Sequence, residues 1–157
     1  YLGEKIGETN PHHFITRVSW VFGKNGGNFV RTMLRLSENY PDLNVVDDQI
    51  GSPTYTKDLS KLLIDMSQSE KYGTYHVTND DYCSWADFAK YILKEAGKET
   101  RIHAVSTEEY LVLTGTKQAY RPRNSKLSKE KLKTNFYTLP TWQDATKRYL
   151  KEIKEKK

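Results

Sequence analysis

Tyr1 and Lys5 stand four positions apart in the opening stretch YLGEK (1–5). On a helix that spacing places the two side chains on one face. A lysine ammonium beside a phenol favours the ionised phenol, and such a pair can exchange a proton with a substrate oxygen. Four other residues are of types that grip a ligand. Trp20 ends an apolar run, where an indole can pack on a sugar ring and donate one N–H, or can serve as a plain core aromatic. Asn28 closes the glycine-rich stretch KNGGN and opens an amphipathic segment. The free N–H groups of a helix start attract anions such as a diphosphate, and the same residue type is an ordinary helix cap. Arg121 carries a planar fork that suits a pyrophosphate, with Arg123 a rival for that role and a surface salt bridge the alternative. Gln49 sits in a turn, where its amide reads a ligand edge or simply holds the turn.

Other candidates carry less. Asp47 and Asp48 are adjacent, and neighbours on a strand point to opposite faces, so they do not form a cooperating acid–base pair. His12 and His13 follow Pro11 in a polar loop. Four scattered histidines and one cysteine give no zinc-ligand spacing. The lone Cys83 fits a reducing, cytoplasmic setting and reads as a small residue in a turn. A net charge of +5 comes with lysine and glutamate intermixed, as in KEIKEKK (151–157). That pattern argues for a solvated helix end and against nucleic-acid binding. No apolar run reaches the roughly 18 residues a membrane helix needs.

The positioning elements follow from periodicity. HFITRVSWVFG (13–23) reads as one strand closed by Gly23. FVRTMLRLSENY (29–40) reads as an amphipathic helix stopped by Pro41. LNVVDDQ (43–49) is a short strand, GSPTYT (51–56) a loop, and Asp58 a cap for a helix with Leu59, Leu62, Leu63 and Met66 on its apolar face. GTYHVTND (73–80) is a third strand. Ser84-Trp85-Ala86-Asp87 forms a capping box for a helix ending at Gly97. Ser106–Glu109 and Thr141–Asp144 open two further boxed helices, with a short helix from SKEKLKTNF between them. The order is strand and helix three times, then helices only, which is an α/β pattern with a thin sheet. The first residues read as mid-helix and there is no initiator Met, so a fragment or a processed chain is expected, with more of the sheet upstream.

Several blocks then line up in one order: RVSWVFG with GGNFV, VVDDQIGSPTYTKDL, GTYHVTNDDYCSWADFA and RPRNSKL. Together they resemble the C-terminal half of the dTDP-4-dehydrorhamnose reductases, extended members of the short-chain dehydrogenase family. The D-Q-x-G-S-P-T block is the more specific of these, and S-W-A-D-F-A the less. The resemblance implies the end of a Rossmann-type parallel sheet plus a small, mainly helical substrate-binding domain. Residues 1–26 and 43–80 would be the remnants of the nucleotide fold, and 27–42 and 81–157 the substrate-binding part.

In that family the catalytic stretch runs Y-x-x-x-K-x-x-G-E. Gly3-Glu4 match its last two positions, which puts the lysine just before residue 1 and the tyrosine four residues earlier. The rival register fails, because only Ile6 separates Lys5 from Gly7-Glu8. Tyr1 and Lys5 are then ordinary residues, and no catalytic residue is expected within 1–157. The resemblance further implies reduction of dTDP-4-dehydro-β-L-rhamnose to dTDP-L-rhamnose. NADPH or NADH would be bound mainly by an upstream half, since no G-x-x-G-x-x-G turn follows an N-terminal strand here. Trp20 matches the family tryptophan beside the sugar, Gln49 lies in the loop lining the nucleotide pocket and suits a thymine edge, and Arg121 suits the diphosphate. Some members are homodimers with Mg²⁺ held by glutamates between subunits, and no such cluster can be placed here. The competing readings are a non-catalytic regulatory homologue, of the methionine adenosyltransferase β-subunit type, and another sugar-nucleotide epimerase or dehydratase. Against the last, those enzymes carry R-D-[FY]-x-[YH]-V-x-D where this chain has GSPTYTKD.

Overall fold

The computed structural model describes residues 1–115 and 119–155. It opens with α1 (Leu2–Gly7) and β1 (Phe14–Arg17). The apolar run 13–23 does not continue as one strand. It breaks at 18–20 and resumes as β2 (Val21–Phe22), because Trp20 adopts a left-handed backbone with φ of 47° that turns the chain aside. α2 (Phe29–Leu36) ends short of Pro41, so that proline is not its stop. Pro41 instead leads into β3 (Asp42–Val46), its carbonyl accepting from the Arg101 N–H at 2.8 Å.

β4 (Ile50–Gly51), β5 (Thr54–Tyr55) and α3 (Thr56–Ser67) follow. α3 begins before Asp58, which therefore is not its cap. The Asp58 carboxylate goes to Arg148 and Asn79 instead. The remaining elements are β6 (Gly73–His76), β7 (Cys83–Ser84), α4 (Trp85–Ala96), β8 (Arg101–Val105), α5 (Thr107–Thr114), α6 (Glu130–Asn135) and α7 (Trp142–Lys154).

β7 and β8 correct the expectation that only helices follow the third strand. RIHAV gives a faint signal because just two of its five residues are even partly buried. It is a strand because β3 pairs with it in parallel, from Asp42↔Arg101 to Val46↔Val105. The Asp42 carboxylate also meets Arg101 at 3.2 Å and His103 at 2.8 Å. β3 thus joins residues on both sides of the division drawn at 80, and packs under α4 rather than beside β1.

The capping chemistry is largely as read. Ser84 and Ser106 form reciprocal boxes with Asp87 and Glu109, and α4 ends on Gly97 at φ of 68°. Thr141 caps α7, but Asp144 turns its carboxylate to Arg148 Nε at 2.7 Å, so that box is not reciprocal.

Strands pair in parallel as β1 with β6, β2 with β5, and β3 with β8, and antiparallel as β4 with β7. Two apolar clusters fill the space between layers. The larger unites α2, α4, α7 and β3 around Val30, Phe88, Ile92 and Tyr149. The smaller packs α3 and α6 against β6 through Leu62, Met66, Tyr75 and Leu132. Among the described residues no helix is long and apolar enough to cross a membrane.

Candidate functional site

Three separate sequence blocks meet at the corner where the first strand breaks. The Ser19 hydroxyl donates to the Ser52 carbonyl at 2.7 Å, and the Thr54 hydroxyl donates to the Ser19 carbonyl at 2.6 Å. The Thr54 N–H donates to the Trp20 carbonyl at 3.2 Å. These bonds hold Trp20 in its left-handed backbone, a conformation that costs on the order of 1–2 kcal/mol for a residue with a side chain. Gly51 completes the corner. A Cβ there would lie 2.9 Å from Trp20 Cε2 and Cζ2, so only glycine lets the indole lie this close. Trp85, the first residue of α4, stacks on the same indole, with centroids 3.7 Å apart and planes 16° apart. Phe29 packs in turn on Trp85 at 4.6 Å.

This aromatic corner walls a cleft of about 740 Å³. α2 and β3 supply an apolar floor through Met33, Leu43 and Val45, α5 contributes Tyr110, and the loop after α5 brings Arg121 and Ser125 to the rim. Of the described residues lining it, Arg121 is the only charged one. Arg121 is exposed and has no hydrogen-bond or ion-pair partner among the described residues. Arg123 is not free in the same way. Its guanidinium meets Glu108 at 2.7 Å and lies 3.7 Å from Asp48. Sequence left the choice between the two arginines open, and the ion pairs separate them.

Trp20, Gln49 and Arg121 therefore share one cleft, although the stretches that carry them are far apart in the chain. One face of the Trp20 ring is taken by Trp85. Gln49 donates its amide N–H to the Thr107 hydroxyl at 3.0 Å. Asn28 is a different case: the sequence offers the free N–H groups of the helix it opens as an anion site, with capping as the alternative, and its side chain does cap α2. Its Oδ1 accepts from the Arg31 N–H at 3.0 Å, and its Nδ2 donates to the Gly23 carbonyl at 2.9 Å and the Tyr149 hydroxyl at 3.0 Å. Capping α2 and tying its loop to α7 use both amide protons, and Asn28 does not line the cleft.

The adjacent aspartates do face different partners. Asp47 accepts from the Ser84 hydroxyl at 2.5 Å, while Asp48 accepts from the Thr107 hydroxyl at 2.6 Å. Burial pushes the Asp48 carboxyl up, but the Thr107 hydroxyl and N–H and the Arg123 charge outweigh it and hold the group below the usual aspartate range. Burial pushes the Cys83 thiol up, which makes it unreactive. Tyr1, at the N-cap of α1, is 88% exposed, with Lys5 Nζ 5.7 Å from its ring centroid, and neither lines the cleft. Among the described residues no group of three His, Cys, Asp or Glu side chains could hold a metal ion.

Sequence reading did not single out Trp85, Tyr110 or Ser125 as cleft residues. Trp85 was legible only as one apolar position on a capped helix, and Ser125 only as part of RPRNS.

The chain matches, over residues 1–155, the family described as RmlD substrate binding domain. It is similar to the spore coat polysaccharide biosynthesis protein SpsK of Bacillus subtilis (strain 168), 46% identical over 152 residues that cover 96% of this chain and 52% of that protein. It is also similar to the dTDP-4-dehydrorhamnose reductase of Sinorhizobium fredii, 36% identical over 155 residues, covering 91% of this chain and 51% of that protein. Among solved structures, that of dTDP-4-dehydrorhamnose reductase from Bacillus anthracis in complex with NADP superposes with a TM-score of 0.86 at 39% identity. The match covers 97% of this chain and 52% of that one. The chain thus spans about half the length of the relatives it matches. With the quoted blocks, the fold and the family match in agreement, the chain belongs to the RmlD substrate binding domain family.

Proposed function

We propose that this chain is the nucleotide-sugar-binding portion of a dTDP-4-dehydrorhamnose reductase, which reduces dTDP-4-dehydro-β-L-rhamnose to dTDP-L-rhamnose. The observation that carries this reading is a cleft of aromatic and apolar walls whose described lining has one charged group, Arg121, with no side-chain partner among the described residues. A ligand that is part ring and part diphosphate fits such a cleft. The guanidinium fork takes the diphosphate oxygens in bidentate fashion, and the Trp20–Trp85 pair presents an aromatic wall to the sugar. Gln49 gives its N–H to Thr107 and keeps its amide oxygen to accept from an N–H of the base.

The nicotinamide cofactor supplies the hydride when bound. The residues of this chain do not fit its phosphates, since the glycine-rich loop from β2 to α2, GKNGGN (23–28), lacks the G-x-x-G-x-x-G spacing. Cofactor binding and the tyrosine–lysine pair are therefore assigned to a segment preceding Tyr1, and β1 with β6 to the end of that nucleotide-fold sheet. This chain's own work is to bind and orient the nucleotide sugar so that the reacting carbonyl meets that segment. Among the described residues no group of three His, Cys, Asp or Glu side chains could hold a metal ion, and Mg²⁺ has no part in the proposal.

The test is binding of dTDP to the full-length protein by calorimetry. Arg121→Ala should weaken dTDP about tenfold, equivalent to about 1.4 kcal/mol, while cofactor affinity stays within about twofold. Equal losses for both ligands would show that Arg121 serves the fold and not the diphosphate.

A further inference from the structure

We propose that Asp48 is the positioning residue of the cleft: one carboxylate docks helix α5 and, through Arg123, the loop that carries Arg121. This rests on reading the cleft as a nucleotide-sugar site.

The geometry is a clamp with two arms. Asp48 Oδ1 accepts from both the hydroxyl and the backbone N–H of Thr107, at 2.6 and 3.1 Å. Thr107 is the first residue of α5, which supplies Tyr110 to the cleft. Asp48 Oδ2 is buried with no hydrogen-bond partner, and Arg123 Nε stands 3.7 Å from it. Arg123 also donates to Glu108 on α5 at 2.7 Å, so helix, loop and carboxylate form one network.

The backbone next to Asp48 grips the same loop. The Ile50 N–H donates to the Arg123 carbonyl at 2.8 Å, and the Ser125 N–H donates to the Ile50 carbonyl at 2.8 Å. Only Pro122 separates Arg123 from Arg121, and its ring locks φ, so the position of Arg123 is passed on with little slack. Arg121 has no side-chain partner among the described residues that would set its direction independently. Asp47 cannot substitute for its neighbour, because it is committed to Ser84 on α4. A buried carboxylate oxygen left without a donor opposes folding, and here it faces the arginine that holds the ligand-bearing loop.

The experiment is a double-mutant cycle in the full-length protein, with dTDP as the probe and calorimetry as the readout. Asp48→Asn preserves shape and removes the charge. It should weaken dTDP about fivefold and Arg121→Ala about tenfold, with the double variant also near tenfold rather than the roughly fiftyfold of independent effects. Arg123→Ala, at an exposed position, should show the same non-additivity with Arg121→Ala and serves if Asp48→Asn folds poorly. Multiplying effects, or unchanged affinity in both Asp48→Asn and Arg123→Ala, would overturn the positioning role while leaving the nucleotide-sugar reading in place. Unchanged affinity in Arg121→Ala would overturn that reading, and this inference with it.

Discussion

Trp20 reaches the cleft wall through a backbone that its residue type disfavours, and its neighbours explain why it stays there. Ser19, Ser52 and Thr54 pin the turn by hydrogen bonds, Gly51 leaves room beside the ring, and Trp85 covers one face. Backbone strain of this kind persists where the surroundings over-determine it, and it concentrates at binding sites. Gly51→Ala tests the arrangement without touching the indole. The new methyl would sit inside contact distance of the ring and displace it, at a cost of about 1–3 kcal/mol typical of overpacking. The near-UV circular dichroism of the stacked tryptophans should collapse, and dTDP affinity should fall. An unchanged near-UV spectrum would mean that the corner relaxes without moving Trp20. In sequence Trp20 was legible only as an aromatic that could pack on a sugar ring or sit in the core; its partner in the stack was not legible, because Trp85 lies far along the chain and reads there as one position on a capped helix.

At the scale of elements, α4 is positioned by its first turn. Ser84 Oγ accepts from the Asp87 N–H at 2.9 Å and donates to Asp47 at 2.5 Å, so one hydroxyl both caps the helix and ties it to the end of β3. Ser84→Ala removes both bonds. The expected loss is about 1–2 kcal/mol in urea unfolding, with Ser84→Thr recovering most of it. A loss well under this, with Thr no better than Ala, would show that the hydroxyl is not what fixes the helix start. The box itself was readable from Ser-x-x-Asp, since capping is local chemistry. The tie to Asp47 was not, because it joins residues 37 positions apart. The same contrast separates the well-read α4 and α7 from β8. The helices carry their apolar stripe and caps in their own residues, whereas β8 is a strand only because β3 lies beside it.

For the whole molecule, the two apolar clusters are linked by a polar joint. Asn79, fully buried, donates to Asp58 at 2.7 Å and to the Pro140 carbonyl at 2.9 Å, and accepts from the Tyr55 N–H at 2.8 Å. Asp58 in turn holds Arg148 of α7 through two bonds, at 2.7 and 2.8 Å. α3, the β5 corner and α7 thus converge on the Asn79–Asp58 pair. Asn79→Ala would leave the Tyr55 N–H and the other partners without it at a buried position. A loss of about 2–4 kcal/mol in chemical denaturation is expected, since each orphaned buried group costs about 1–3 kcal/mol. A change below about 1 kcal/mol would mean that water replaces the amide and that the joint is not a structural hinge point.

Sequence by itself determined the α/β class, most helices with their caps, and the family resemblance, because periodicity, capping and block order are all properties of neighbouring residues. It also placed Trp20, Gln49 and Arg121 among the ligand-gripping candidates from their side-chain chemistry. Only the tertiary structure decided which of these share a cleft. It bound Arg123 into ion pairs and left Arg121 without one among the described residues, and it used the amide of Asn28 to cap a helix. It also broke the first strand at Trp20 and paired β3 with β8. Each of those outcomes depends on groups brought together from distant parts of the chain, and no local pattern encodes which distant partner takes a given hydrogen bond.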